Sequence, residues 1–226
     1  MTRRIMMKLS EATTNVLKNF SDINQNILVK QGNKLNTMST MKNIIGEAKI
    51  EESFERDFGI YDLNEFLGVM SLGKDPDLLF EDDSFVKVKS GNSTTKYFFS
   101  DPSILVTTPE SFTPPETDCT FRISQDELTA VHKACAVLQL PDVVIRNDGG
   151  VAVIVATDLK NTTSHEHRIE LNSIDFPANF HFKIDNLNMI SGGYDMSVAS
   201  DKNVSRWTHQ TKQIEYWIAL EATSGQ

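Results

Sequence analysis

His165-Glu166-His167 sets two imidazoles on one side of an extended segment, which is the beginning of a metal site if a third ligand joins them. A tetrahedral zinc site needs at least three protein ligands, and no Cys or His pair stands nearby in the sequence. A solvated polar face therefore outweighs a metal-dependent enzyme built on His165 and His167. Glu51-Glu52 and Glu81-Asp82-Asp83 offer carboxylates to calcium or magnesium, but the second run lacks the alternating ligands and the glycine of a calcium loop. Acidic runs of this kind mark exposed loops. No Gly-rich phosphate loop of the GxxxxGK type is expected, nor GxGxxG or GxSxG, so nucleotide binding and acyl transfer find no support. No catalytic residue, metal or cofactor is assigned. Cys119 and Cys135 have neither zinc nor redox spacing and read as buried thiols; a disulfide framework is excluded.

Charge narrows the binding chemistry. Lys and Arg number 22 against 31 Asp and Glu, a net −9 over 226 residues, and the deficit is spread over both halves of the chain. Such a surface repels phosphates unless its basic residues are gathered on one face, so a conventional basic nucleic-acid binder is disfavoured. With 39% hydrophobic residues the chain can bury one large core or two smaller ones, and disorder as its main state is excluded. No stretch approaches the ~18–20 apolar residues of a membrane helix, and no apolar run follows the basic start to make a signal peptide. A cytosolic protein without a membrane partner is expected.

The elements that carry these residues repeat. Four of the seven prolines (Pro102, Pro109, Pro114 and Pro115) fall between Ser100 and Asp118, a linker composition that resists helix and central strand. On either side, Phe58-Gly59-Ile60-Tyr61-Asp62-Leu63-Asn64 matches Phe182-Lys183-Ile184-Asp185-Asn186-Leu187-Asn188 at Phe, Ile, Leu and Asn. Leu9-Ser10-Glu11 likewise matches Ile123-Ser124-Gln125. One pattern thus occurs four times: an apolar strand end, a capping residue, then a helix. Asp62 with Glu65 and Ser124 with Glu127 have capping-box spacing. Leu63, Phe66, Leu67 and Met70 make one inward stripe, and Leu128, Val131, Cys135 and Leu138 another. Ser10 opens a helix with Val16, Leu17 and Phe20 inward, and Asp185 opens a fourth that Gly192-Gly193 ends. The intervening stretches, such as Phe85-Val86-Lys87-Val88, Val151–Val155 and Tyr216–Leu220, are short and rich in β-branched or aromatic residues. Asn147-Asp148-Gly149-Gly150 and Gln31-Gly32-Asn33 supply turns of hairpin type. The sum is α+β: two similar domains, each with two helices packed on antiparallel sheets.

Met7–Phe20 (MKLSEATTNVLKNF), Ile60–Leu72 (IYDLNEFLGVMSL), Ser100–Val106 (SDPSILV) and Ala219–Ala222 (ALEA) resemble the DNA polymerase sliding clamp, or processivity factor, of T-even-type tailed phages. The resemblance runs from Met7 to near the C-terminus and is strongest before the linker. It implies a ring-forming homotrimer of the DNA-clamp type that encircles duplex DNA without sequence preference. It also implies three partners or roles: the phage replicative DNA polymerase, a clamp loader that supplies ATP-driven opening, and late transcription. The place of action would be the cytoplasm of the infected bacterial host. A ring resolves the charge puzzle, because only its bore needs positive potential. The alternative is a β-rich phage structural or assembly protein that ignores DNA.

On this reading the N-terminal clamp domain spans residues 1–99, the connector 100–118 and the C-terminal clamp domain 119–226. Lys8 and Lys18 lie in the first matching stretch and are expected in the bore, with His132 and Lys133 on the polar face of the equivalent helix, Lys183 before the fourth helix and Lys74 after the second. Arg3 and Arg4 add charge outside the resemblance. Chains in a closed ring meet head to tail through strand edges. Tyr97, Phe98 and Phe99 in the last strand before the linker are expected at that subunit interface. Apolar tails of partners are expected in a pocket lined by Ile104, Leu105, Val106, Leu140, Pro141, Phe176 and Pro177.

Overall fold

The computed structural model describes residues 5–109, 115–117, 119–171 and 179–222. Arg3, Arg4, Phe176 and Pro177 lie outside them. The chain divides into two compact units, Met1–Phe112 and Thr113–Gln226. The first runs β1 (Ile5–Met7), α1 (Glu11–Ile23), β2 (Ile27–Val29), β3 (Gly32–Met38), β4 (Ile44–Phe54), β5 (Phe58–Ile60), α2 (Leu63–Ser71), β6 (Asp77–Phe80), β7 (Phe85–Ser90) and β8 (Ser93–Phe98). The second runs β9 (Cys119–Ile123), α3 (Gln125–Leu138), β10 (Asp142–Asp148), β11 (Val151–Thr157), β12 (His167–Glu170), β13 (Asn179–Lys183), a 3₁₀ turn (Ile184–Leu187), β14 (Tyr194–Ala199), β15 (Val204–His209) and β16 (Ile214–Ala219).

The two orders are the same: one strand, a helix, four strands, a helix or helical turn, three strands. Pairing follows the repeat as well. β1-β6-β7-β8 form one antiparallel sheet, and β9-β14-β15-β16 pair in the corresponding order. β12-β11-β10-β13 form a four-stranded sheet, whereas β2 pairs with β5 and β3 with β4. Gly32, with φ +113°, therefore turns the chain between two different strand pairs. This corrects the expected hairpin at Gln31-Gly32-Asn33. At Gly149-Gly150 the hairpin forms as read, with φ +65° and +93° and β10 joined to β11.

The helices are held by their caps. The Ser10 hydroxyl accepts from the Thr13 N–H at 3.2 Å, and the Glu52 carboxylate on β4 accepts both the Ser10 N–H and the Thr13 hydroxyl. Burial would raise the Glu52 pKa, but these hydrogen bonds outweigh it and hold the carboxyl below its usual range. Ser124 and Glu127 complete the capping box expected for α3, and Asp62 caps α2 by accepting from the Glu65 N–H at 2.9 Å. α1 buries Thr13, Val16, Leu17 and Phe20, and α3 buries Leu128, Val131, Ala134 and Cys135. Each large apolar side chain so removed from water stabilises its unit by roughly 1.5–3 kcal/mol.

Three readings need correction. The fourth helix is the single 3₁₀ turn Ile184–Leu187. No side chain caps it, the Ile184 N–H donates instead to the Pro141 carbonyl at 3.0 Å, and only Leu187 is buried. Asp185 lies inside that turn rather than before it. Leu138 leaves the α3 stripe and stands 37% exposed, because the helix reverses at Gln139 in the left-handed region (φ +54°). Of the cysteines, Cys135 is buried, with its thiol pushed up to about 11 by burial and by the nearby Asp142 charge, while Cys119 is only half-buried.

Candidate nucleic-acid interface

α1 and α3 occupy the same place in the repeat, each opened by a capped serine and each lying against its own sheets through one apolar stripe. The opposite faces present Glu11, Asn15 and Lys18 on α1, and Thr129 and Lys133 on α3. Lys18 and Lys133 are exposed and have no ion-pair partner among the described residues. Lys74, just past α2, is exposed in the same way, and its carbonyl accepts from the Ser90 hydroxyl at 2.8 Å. Of the six expected cations, these three are the ones whose charge is uncompensated among the described residues.

The other three expected cations are compensated within the chain. Lys8 Nζ lies 2.5 Å from Asp75 Oδ2, and that hydrogen bond raises the Lys8 pKa while cancelling its field. Lys183 pairs with Asp142, whose side chain is 2% exposed and also accepts from the Leu159 N–H at 2.9 Å. Lys183 therefore neutralises a buried carboxylate. His132 is half-buried with Nε2 3.2 Å from the Leu187 carbonyl, and burial pushes its pKa down, so at neutral pH it is an uncharged donor bridging α3 to the 3₁₀ turn.

The three aromatic residues expected at a subunit edge have three different environments. Tyr97 packs edge-on to Phe66 (5.2 Å) and its hydroxyl donates to the Asp62 carbonyl at 3.2 Å, tying β8 to α2. Phe99 lies in the cluster with Phe58 (4.8 Å) and Phe80, beneath the Arg56 guanidinium. Phe98 alone is largely exposed, at 61%, on β8, which ends its sheet. It pairs across to Phe85, and the Lys96 ammonium sits 3.8 Å and 4.6 Å from the centres of those two rings. Neither Phe85 nor Lys96 was singled out in the sequence, although the alternation Phe85-Val86-Lys87-Val88-Lys89 is the signal that would have found this half-buried, lysine-bearing face.

The expected partner pocket separates into parts. Leu140 and Pro141 line an open groove of ≈ 410 Å³ at the C-terminal end of α3, with Ala136, Gln139 and Ile184. In the first unit, Ile104 is 59% exposed at the end of the 3₁₀ turn Pro102–Ile104, while Leu105 is buried. The Val106 N–H donates to Asn26 Oδ1 at 2.9 Å. Gly59 makes this possible: a Cβ there would lie 2.6 Å from both Leu105 Cδ1 and the Ser100 carbonyl oxygen.

His165 and His167 are both exposed, and among the described residues no three His, Cys, Asp or Glu side chains stand together as metal ligands. Gly68 to Lys74 does spell GxxxxGK, but Asp75 follows where a phosphate loop needs Ser or Thr, and Gly68 lies inside α2. No helix among the described residues is long and apolar enough to cross a membrane.

Two strand-and-helix units of the same order, each presenting a helix with a polar outer face, define the DNA-clamp fold. The fold matches the PCNA of A. fulgidus solved with the C-terminal region of FEN-1, with a TM-score of 0.71 over 98% of this chain and 99% of that one at 16% identity. Residues 8–106 match the family model for DNA polymerase processivity factors, and residues 120–222 match that for the C-terminal part of the gp45 sliding clamp. The chain is 31% identical over 223 residues to the sliding clamp of Vibrio phage KVP40, covering 96% of this chain and all of that protein. It is 29% identical over 226 residues to the sliding clamp of Escherichia phage RB69, with 96% and 98% covered. This chain belongs to the sliding-clamp family of T-even-type phages, the processivity factors of DNA polymerase.

Proposed function

We propose that three copies of this chain close head to tail into a ring around duplex DNA and tether the phage replicative DNA polymerase to its template. The single observation that carries the DNA contact is the pair of equivalent serine-capped helices, α1 and α3, each turning an uncompensated lysine (Lys18, Lys133) outward from an acidic protein. Sparse unpaired amines fit a bore that must attract phosphates yet let them pass, since every strong phosphate contact would slow sliding. The net −9 of the chain disfavours a DNA contact spread over its whole surface. No catalytic step is assigned to the chain.

The subunit contact uses the open edge β8, with Phe98 as its exposed aromatic, against an edge of the second unit in the next copy. Polymerase and clamp loader dock through short apolar tails, and the groove where Leu140, Pro141 and Ile184 meet the polar His132, Gln139 and Asp185 is the receptor on this reading. Coactivation of late transcription uses the same tether, in the cytoplasm of the infected bacterial host. The domain bounds 1–99, 100–118 and 119–226 serve this reading, the connector linking two clamp domains.

Light scattering across a dilution series, with small-angle scattering on the same sample, tests the assembly. Three copies of 25.4 kDa with a ring-shaped profile are expected. A compact monomer at every concentration overturns encirclement and returns weight to an assembly protein that ignores DNA.

A further inference from the structure

In the second unit the 3₁₀ turn Ile184–Leu187 stands where a fourth helix was expected, and residues 188–193 run on to β14 without a helix of their own. Two histidines from different elements hold that segment. On α3, His132 Nε2 meets the Leu187 carbonyl at 3.2 Å; at the end of β15, the buried His209 sets its Nε2 3.2 Å from the Ser191 carbonyl. Gly192 lets the ring come this close, because a Cβ there would run into the His209 imidazole. Between the two anchors the Ile190 N–H donates to the Tyr216 hydroxyl at 3.3 Å, and the Ile190 carbonyl accepts from the Tyr194 hydroxyl at 2.5 Å. With α3 the segment walls a groove of ≈ 280 Å³ lined by Leu128, Thr129, Met189 and Ile190 among others.

The second nitrogen of His209 is engaged as well. Its Nδ1 accepts from the N–H groups of Thr211 at 3.1 Å and Lys212 at 3.2 Å, both in the exposed turn between β15 and β16. With two donors aimed at Nδ1 and a carbonyl facing Nε2, only the neutral Nε2–H tautomer satisfies all three hydrogen bonds. A second proton can go only to Nδ1, where it meets two N–H groups head on. Among the described residues no carboxylate is paired with the ring to offset that charge. Lys212 on the turn opposes it, Asp195 on β14 is shared between Arg122 and Gln210, and Glu215 on β16 is paired with Arg206. The phenols beside it, Tyr194 with its ring 5.0 Å away and Tyr216 next to Tyr194, have their pKa values raised by burial and stay neutral. Burial likewise lowers the pKa of His209.

We infer that His209 is a proton-sensitive latch: as a neutral imidazole it ties the segment 188–193 to the β15–β16 turn, and protonation at Nδ1 releases the two from each other. One proton from solvent is taken up at Nδ1, and the Thr211 and Lys212 N–H groups lose their acceptor. The closed latch excludes that proton, so closure is complete above about pH 6.5 and is lost as the pH falls through it. His132 does not act in this way. A proton on its other nitrogen leaves the Nε2–H bond to Leu187 intact, so the segment keeps that end as a hinge. Opening therefore moves the Met189–Ile190 wall of the groove while α3, with Lys133 on it, stays in place. The device lies within the second unit and does not depend on the ring.

The test is amide hydrogen exchange read by mass spectrometry on the full chain from about pH 7.5 to about pH 5, corrected for the intrinsic pH dependence of exchange. Wild type, His209→Asn and His132→Gln are compared. In wild type, protection of segments 188–193 and 210–213 should fall together, by up to about tenfold per pH unit below about pH 6.5, while β10 and β11 keep theirs. In His209→Asn the Oδ1 stands where Nδ1 stood and does not titrate, so the 210–213 turn should lose its pH dependence. The shorter side chain does not reach Ser191, so 188–193 should be less protected than in wild type at neutral pH. In His132→Gln the amide can still donate to Leu187, and the wild-type fall should remain. Wild-type protection that stays flat down to about pH 5 overturns the latch. A fall in the turn that persists in His209→Asn, or one that disappears in His132→Gln, overturns it too, because the proton would then act elsewhere. Wild type and His132→Gln decide the matter even where His209→Asn does not fold.

Discussion

Replacing Lys18, Lys133, Lys8 and Lys183 one at a time by Ala separates cations that face DNA from cations that serve the fold. All four occur three times in a trimer, so each substitution removes three amines. A phosphate contact contributes about 0.9 to the slope of log affinity against log salt, so losing three engaged contacts flattens that slope by as much as about 2.7. Lys18 and Lys133 have no carboxylate partner among the described residues, and their variants should approach that loss. Lys8 is held by Asp75 at 2.5 Å with both side chains at least half exposed, so the net charge it shows to DNA is near zero, and Lys8→Ala should change the slope little. Lys183→Ala should act differently. It leaves the Asp142 carboxylate buried with only a backbone N–H, and because Lys183 is itself 35% exposed the loss should be about 1–2 kcal/mol of stability, below the 3–5 kcal/mol of a fully buried pair. The assay is fluorescence anisotropy on a short open-ended duplex from about 20 to about 200 mM salt, with thermal melting alongside. A Lys8→Ala slope as flat as that of Lys18→Ala, with Lys183→Ala melting like wild type, would refute the division.

Four further outcomes follow from the same geometry. Gly59→Ala drives a Cβ to 2.6 Å from the Ser100 carbonyl and should cost about 1–3 kcal/mol in a denaturant melt while loosening the Leu105 anchor. Ser124→Ala removes the capping box of α3 and should cost about 1 kcal/mol, read as a lower melting temperature. Burial lowers the pKa of His132, His181 and His209 below the ordinary 6.5, so the unfolded chain binds more protons than the folded one in that window. Stability is then fully present above about pH 6.5 and falls as the pH drops through it, which a series of melts from about pH 8 to about pH 5 should record. Alkylation of native Cys135 at neutral pH should be slow, since its thiol titrates only near pH 11.

The parts of the fold legible in the sequence were those where one local rule acts alone. Ser10, Asp62 and Ser124 announce helix starts because a cap needs only its own next three residues; all three cap, with the full capping box at Ser124 and only the Asp62 half of the one expected at α2. Asn147–Gly150 announces a hairpin because only glycine tolerates both positive φ values at no cost. β15 was hidden for a different reason. Its core-facing residues are Ser205, Trp207 and His209, and Ser205 can be buried only because its hydroxyl donates to the Ile218 carbonyl and accepts from the Trp207 Nε1–H, both at 2.9 Å. A polar residue satisfied by a distant strand cannot be read as core from its neighbours. The 3₁₀ turn at Ile184–Leu187 was misread because the match to Phe58–Asn64 copies the apolar residues but not the cap.

The candidate site shows the same division. That Lys18 lies on the face of α1 opposite its apolar stripe, and Lys133 on that of α3, is a matter of helical period, and each was visible. Which lysines are free was not, because Asp75 lies 67 residues from Lys8 and Asp142 lies 41 from Lys183. Phe98 as the exposed member of Tyr97-Phe98-Phe99 follows strand alternation, yet the role of Tyr97 as the tie to α2 depends on a carbonyl 35 residues away.

Encirclement itself is tested most directly by topology. The chain would be loaded by a phage clamp loader with ATP onto a nicked circular duplex, the circle purified, and retention followed before and after a single restriction cut. Retention on the circle at salt that abolishes ordinary binding, with release on linearisation, is the predicted result. Equal retention on circular and cut DNA would contradict the ring and place the contact on an ordinary binding surface.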